Sequence, residues 1–257
     1  MGQGGGTSGS PSGSRGETSE GSLLGGRVGY RQLRAGHRTG FEPVLLAAAV
    51  AARPGQMVLE AGTGAGAALL CLAARIPGVV GVGVERDAAL SALARDNFAA
   101  NDFKGLVSVR ADATSLPFPP DSFHHVLANP PWFDARGTKS PDPLRALAHQ
   151  AGPGLLSEWV ASLTAVLRPR GSVTLILPAS GFATASAALG RNCGGITLFP
   201  LWPGAGVPAK LVILAARKGV KTADCVRAGL VLHDADGITQ AAQEILRDGA
   251  ACGASPA

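Results

Sequence analysis

The stretch from Val58 to Arg75, VLEAGTGAGAALLCLAAR, constrains the fold more than any other. A β-branched, apolar opening reads as a strand, and the Ala/Leu run at its end reads as a helix. Between them, Gly62-Thr63-Gly64-Ala65-Gly66 has to turn the chain within five residues. Glycine reaches positive φ without steric cost and lets another molecule approach the backbone closely. The helix that follows begins with unpaired N–H groups, which favour an anionic or polar ligand. A strand that enters a helix through such a turn is a building unit of an α/β sheet.

The rest of the chain repeats that alternation. Helices are expected at 42–52, with Pro43 tolerated in the first turn, and at 67–75, 88–101, 155–167 and 182–189. Strands are expected at 57–60, 79–85, 106–112, 123–129, 172–177, 196–199 and 211–216. This order predicts an α/β Rossmann-like domain with a mostly parallel seven-stranded sheet flanked by helices. In such sheets ligands bind beyond the carboxyl ends of the strands.

Four regions follow. Residues 1–22, of which 14 are Gly or Ser, read as a disordered tail. Residues 23–56 form a basic segment and a helix, 57–219 the main domain, and 220–257 a C-terminal extension with a strand, a turn and a helix. The basic segment carries Arg27, Arg31, Arg34, His37 and Arg38, and its glycines predict a hairpin or loop. A net charge of +5 with 16% charged residues suits a folded protein with some affinity for nucleic acid. The four cysteines lack metal-ligand or disulfide spacing, so no metal is expected. With no charged-then-apolar leader pattern, and an apolar run at 44–52 too short to span a bilayer, a cytoplasmic location is expected. His124, His125, Trp159 and Trp202 read as packing residues.

The glycine turn fits two ligand classes. Gly62, Gly64 and Ala67 match G-x-G-x-x-G/A, the dinucleotide fingerprint. Glu60 to Gly66 match the acid-x-G-x-G-x-G turn of S-adenosylmethionine (SAM) enzymes. Glu60 favours SAM, because a strand-end carboxylate repels a pyrophosphate and attracts a sulfonium and an ammonium. Glu85 ends the next strand, where a carboxylate accepts from two ribose hydroxyls in either ligand. Asp112 ends the third, positioned for an adenine amine or as a cap on its own turn.

After the fourth strand comes Asn129-Pro130-Pro131-Trp132. A planar exocyclic amine is a poor nucleophile because its lone pair is delocalised. Two acceptors on its two N–H bonds, the Asn129 side-chain oxygen and the Pro130 carbonyl, favour rehybridisation. The prolines fix φ and preorganise those acceptors, and Trp132 offers a stacking face. A strand-ending turn with a buried Trp is the structural alternative.

This corner resembles that of the class I SAM-dependent methyltransferases acting on adenine, cytosine, guanine or glutamine amides. LRAGHRTGFEPVLLAAAV, LWPGAGVPAKLVILAARKG and LVLHDADGITQAAQEILRDGA resemble segments of the valine-tRNA (adenine-6-amino) methyltransferases. The resemblance runs from about Leu24 to the C-terminal segments. It implies SAM as cofactor and tRNA as partner. Glu60, Gly62, Gly64 and Gly66 would shape the cofactor turn, Glu85 would take the ribose and Asp112 the adenine. Arg38, Thr39 and Gly40 would sit beside the methionine moiety, and Asn129 to Trp132 would receive the target amine. Arg27, Arg31, Arg34, Arg136 and Lys139 are the candidate RNA contacts, with Arg145 nearby. Glu60 stands where the family has Asp, and Trp132 where it has Tyr or Phe. A protein glutamine amide or a guanine amine is an alternative acceptor. An NAD(P)-dependent oxidoreductase is a further alternative, although no Tyr-x-x-x-Lys pair is present.

Overall fold

The computed structural model describes residues 17–34, 39–131 and 154–256. An N-terminal hairpin, β1 (Thr18–Leu23) and β2 (Val28–Leu33), precedes α1 (Glu42–Ala49). The alternating body follows: β3 (Met57–Ala61), α2 (Ala67–Arg75), β4 (Val80–Glu85), α3 (Ala88–Ala100), β5 (Leu106–Arg110) and β6 (Phe123–Ala128). It continues with α4 (Leu155–Val166), β7 (Leu167–Pro178), α5 (Phe182–Leu189), β8 (Cys193–Gly204) and β9 (Leu211–Lys218). The C-terminal part supplies β10 (Cys225–Val226), β11 (Leu230–Asp234), β12 (Gly237–Ile238) and α6 (Gln240–Leu246).

The seven expected strands all form, in the order β5-β4-β3-β6-β7-β9-β8. Neighbours are parallel except around β9, which runs antiparallel to both β7 and β8. Among the described residues the sheet has ten strands, not seven. The extension adds β10 and β11 to the outer side of β8, and β12 to β11.

Strand alternation divides the core between two faces. Val58, Leu127, Ile176 and Ile213 point to the side of α1, α2, α3 and the hairpin. Their sequence neighbours Leu59, Val126, Leu175 and Leu214 point to the side of α4 and α5. Both faces are covered, which explains why the central strands read as continuous apolar runs.

Several boundaries differ from the sequence expectation for physical reasons. The tail expected to be disordered through residue 22 ends in β1, because Thr18–Leu23 gains a full antiparallel ladder from β2. The helix expected to reach residue 52 stops at Ala49, with Val50 extended shortly before Arg53-Pro54. β5 stops at Arg110 and β6 at Ala128, so Asp112 and Asn129 lie just past the ladder. β7 begins five residues early, since Leu167 pairs with Phe123 before a bulge. β8 runs through Pro200 and Pro203, where the expected strand ended at Phe199; Phe199 and Leu201 keep it paired to β9.

Arg75 at the end of α2 and the C-terminal segment together close α1. Arg75 donates to the carbonyls of Ala47 and Val50, the Cys252 N–H to Ala48 at 3.1 Å, and the Ser255 hydroxyl to Ala49 at 3.1 Å. The last carbonyls of a helix have no partners within it, so these bonds act as its cap. Deleting residues 250–257 is expected to cost about 2 kcal/mol, a fall in Tm of about 4–8 °C for a chain of this size. Thermal unfolding of the truncated protein, with the sheet's far-UV signal retained below the transition, checks this.

Candidate cofactor and acceptor site

The turn between β3 and α2 carries all three glycines at positive φ: Gly62 at 70°, Gly64 at 56° and Gly66 at 89°. Two of them are also needed for space. A Cβ on Gly62 would lie 2.8 Å from the Trp159 ring, and one on Gly66 would lie 2.5 Å from Phe98. A Cβ on Gly64 would meet nothing within 4 Å. Gly64 is therefore the position where the backbone faces open space, as a cradle for a ligand requires. Trp159 is a packing residue under the turn, as the sequence suggested.

The turn has one bond of its own, from the Gly66 N–H to the Thr63 carbonyl at 2.9 Å, and is otherwise fixed from outside. The N–H groups of Gly62 and Thr63 both donate to the Val84 carbonyl, at 2.9 and 3.0 Å. Thr63 fits there because β4 has Gly83 opposite, where a Cβ would sit 2.8 Å from the Thr63 methyl. Glu60 Oε2 accepts from the Thr63 hydroxyl at 2.7 Å and from the Leu69 N–H at 3.2 Å. The N-cap of α2 is Gly66, which has no side chain to satisfy the helix's first N–H groups. Glu60 reaches across to serve instead.

That geometry narrows the sequence reading of Glu60. The sequence places it near the ligand and among the residues that shape the turn; it is 5% exposed, and its carboxylate lies at the base of the turn. Burial raises its pKa to about 8, with the nearby Glu85 carboxylate contributing. Glu60 shapes the turn directly.

Glu85 closes the other side. Its Oε2 accepts from the Gly64 N–H at 3.0 Å and its Oε1 from the Asp87 N–H at 2.9 Å. Each carboxylate oxygen has a further lone pair, so the group keeps capacity for two hydroxyl donors. Asp87 in turn caps α3, accepting from Ala89 and Leu90. Asp112 is exposed, and its Oδ1 accepts from the Thr114 N–H at 2.8 Å and hydroxyl at 2.7 Å. Those bonds hold its pKa below the usual range. The turn-capping reading of Asp112 is thus realised on one oxygen, and Oδ2 makes no bond among the described residues.

Parallel pairing brings these groups to one edge. Ala61 is level with Val84 on one side and Ala128 on the other, and Glu85 is level with Arg110. Asn129 follows Ala128 immediately. It is exposed, while Pro130 and Pro131 are buried. Its carboxamide makes no hydrogen bond among the described residues. Trp132, Arg136, Lys139 and Arg145 lie outside the described residues, as does Arg38.

Thr39 is anchored to the hairpin. Its N–H donates to Gln32 at 3.0 Å, and its hydroxyl lies 2.8 Å from the Tyr30 hydroxyl. Burial pushes Tyr30 up to about 12, and the Glu60 carboxylate adds to that shift. Thr39, expected beside the methionine moiety, is therefore fastened to the hairpin through Tyr30 and Gln32. Gly40 follows against the Glu42 carboxylate.

The basic segment divides. Arg27 donates to the carbonyls of Leu24 and Arg247, both at 3.2 Å, so its guanidinium ties the hairpin to the end of α6. Arg34 uses Nε to hold Thr18 at 3.0 Å. The Arg31 side chain makes no bond among the described residues. His125 is also structural: its ring lies 2.7 Å from Ser172 and 2.8 Å from Gln56, and burial lowers its pKa to about 4. No helix among the described residues is long and apolar enough to cross a membrane. No group of three His, Cys, Asp or Glu among those residues is placed to hold a metal.

Two outcomes follow from the turn. Gly64→Ala is expected to weaken SAM binding with a stability loss of about 1 kcal/mol. Gly66→Ala is expected to lose about 2–4 kcal/mol through strain and overlap with Phe98. Urea denaturation and calorimetry of both variants separate the effects. Because folding raises the Glu60 pKa from its ordinary 4.5 to about 8, the folded state holds a proton that the unfolded state releases across that range. Stability from this group is thus present below about pH 4.5 and lost as pH rises toward 8. Glu60→Gln is expected to flatten that part of the stability–pH curve, measured by denaturation at a series of pH values.

Comparisons with known proteins agree with the geometry. Residues 58–171 match the family model described as a methyltransferase domain. The tRNA1(Val) (adenine(37)-N6)-methyltransferase of Aeromonas hydrophila is 29% identical over 206 residues, which is 79% of this chain and 86% of that protein. Its counterpart from Aeromonas salmonicida is 28% identical over the same extent. A solved Agrobacterium tumefaciens protein described as a predicted O-methyltransferase matches with a TM-score of 0.69 at 25% identity. The match covers 81% of this chain and 97% of that one. Methyl transfer is common to every one of these matches, and the open glycine turn between two carboxylates suits SAM: the chain carries a class I SAM-dependent methyltransferase domain.

Proposed function

We propose that the protein methylates the exocyclic 6-amino group of an adenine in tRNA. The observation that carries this reading is Asn129: an exposed carboxamide with buried prolines behind it, one strand from the glycine turn. SAM, when bound, supplies a methyl group made electrophilic by its sulfonium. Gly64, Glu85 and Asp112 are the residues that would hold it, with Glu60 setting the turn's shape and field.

The acceptor's side of the reaction falls to the corner. Asn129 Oδ1 and the Pro130 carbonyl each accept one N–H of the amine. That withdraws the nitrogen lone pair from the ring and aims it at the methyl group. Holding the two groups in line supplies much of the remaining rate. The nitrogen then sheds one proton to water at the exposed edge. A hydroxyl acceptor has one O–H and leaves one of the two acceptors idle, so the corner favours an amine over the O-methylation named for the Agrobacterium protein.

The names of the Aeromonas relatives support an adenine in tRNA as the amine. Arg31 and the free end of Arg34 would meet phosphates, with Arg136 and Lys139 beyond the corner and Trp132 stacking on the base. The target base has to leave its stack to reach the corner. Arg27 is not part of this surface, since its guanidinium serves the hairpin. Such a protein works in the cytoplasm, and its four cysteines are unpaired thiols.

Incubation with methyl-labelled SAM and either bulk tRNA or cell protein, followed by nucleoside and amino-acid mass spectrometry, tests the reading. Label in N6-methyladenosine is expected. Label confined to N-methylglutamine or to a methylated guanine would replace adenine with the corresponding acceptor. Asn129→Ala is expected to lower turnover by about 100-fold or more while SAM affinity stays within about twofold.

A further inference from the structure

We propose that Asn97 is a positioning residue for the cofactor turn, and that through it the N-terminal hairpin and the turn hold each other in place. The inference concerns the SAM site and is independent of which acceptor is methylated.

Asn97 lies on α3 and is 1% exposed, within an otherwise apolar stripe of Leu93, Ala94 and Phe98. Its Oδ1 accepts from the Arg31 N–H at 3.0 Å, and its Nδ2 donates to the Arg31 carbonyl at 2.8 Å. One turn later, Asn101 treats Gly29 in the same way, at 2.9 and 2.8 Å. Four residues along a helix advance about 6 Å, close to the roughly 6.7 Å spanned by two residues of a strand. The two carboxamides therefore act as a substitute strand, pairing the outer edge of β2 with side chains instead of backbone.

Asn97 does one thing that Asn101 does not. Its second Nδ2 hydrogen goes to the Ala65 carbonyl at 2.9 Å, inside the glycine turn. Ala65 sits between Gly64 and Gly66, both at positive φ, and the peptide joining it to Gly66 is held at its other end by the Gly66 N–H, which donates to the Thr63 carbonyl at 2.9 Å. The bond from Asn97 fixes the carbonyl end, so the two bonds together hold one orientation. That orientation presents the Gly64 N–H to Glu85 and leaves Gly64 facing open space. A turn held in its binding conformation before the ligand arrives loses less freedom on binding. The same amide group that fixes the turn also fixes Arg31, so ordering either one orders the other.

The matched pair of asparagines supplies the control. Asn97→Ala and Asn101→Ala each remove one rung of the hairpin's side-chain ladder, and both are expected to lower Tm. Only Asn97→Ala is expected to raise the SAM dissociation constant, by about tenfold, in calorimetry. In the wild type and in Asn101→Ala, SAM is expected to slow hydrogen exchange at the Arg31 amide. In Asn97→Ala that protection is expected to disappear. If Asn97→Ala does not fold, Asn97→Asp answers the same question, because it keeps the acceptor for Arg31 and removes both donors. If neither folds, wild-type exchange decides, and an Arg31 amide indifferent to SAM overturns the proposal. A folded Asn97 variant with wild-type SAM affinity also overturns it. So does an Asn101→Ala protein that loses as much affinity as Asn97→Ala, since the effect would then belong to the hairpin as a whole.

Discussion

Three glycines at positive φ give the β3–α2 turn its shape but no side chains to hold it with. Apart from one internal bond, from the Gly66 N–H to the Thr63 carbonyl, the turn's restraints come from neighbours. Glu60 supports it from below through Thr63 and the helix start, Val84 receives two of its N–H groups, and Glu85 takes the Gly64 N–H. Asn97 takes the Ala65 carbonyl, and Trp159 and Phe98 fill the volume that side chains on Gly62 and Gly66 would occupy. The open side at Gly64 survives because the other sides are closed.

The rest of the architecture can be understood as what those neighbours need. β4 carries Gly83 so that Thr63 fits, and Gly81 so that Leu69 and Leu106 meet above it. α3 is capped by Asp87, which also binds Glu85, so the helix bearing Asn97 and the strand-end acid share one fixed point. The parallel register of β6 with β3 then delivers Asn129 to the same edge. Burying a carboxylate as deeply as Glu60 is costly. Its two hydrogen bonds and its raised pKa show how the fold tolerates it, and a cationic ligand nearby favours its charged form.

Most of this edge was legible in the sequence, because parallel strands share a carboxyl end and motif residues cluster there. The glycine turn, Glu85, Asp112 and the Asn-Pro-Pro corner could be placed from their positions at strand ends alone. The direction of Glu60 could not. It depends on Gly66 leaving the helix start without a cap, a three-dimensional vacancy that only a neighbour's side chain can fill. The β1 strand was hidden because Gly and Ser carry no strand signal, and the ladder from β2 decides its conformation. Arg27 read as a surface cation because its acceptor, the Arg247 carbonyl, is 220 residues away in sequence. Asn97 did leave a trace, as a polar residue within an apolar helical stripe, but its partners on β2 and in the turn are set by packing.

The central claim is that the carboxyl edge from β5 to β6 is one site, with the cofactor against Gly64 and Glu85 and its reactive end toward Asn129. A crystal structure of the protein with S-adenosylhomocysteine tests it most directly. The account predicts both ribose hydroxyls on the Glu85 carboxylate, backbone contact at Gly64, and the sulfur directed at the Asn129 carboxamide. A ligand whose sulfur points away from Asn129, or whose ribose has no contact with Glu85, would contradict it.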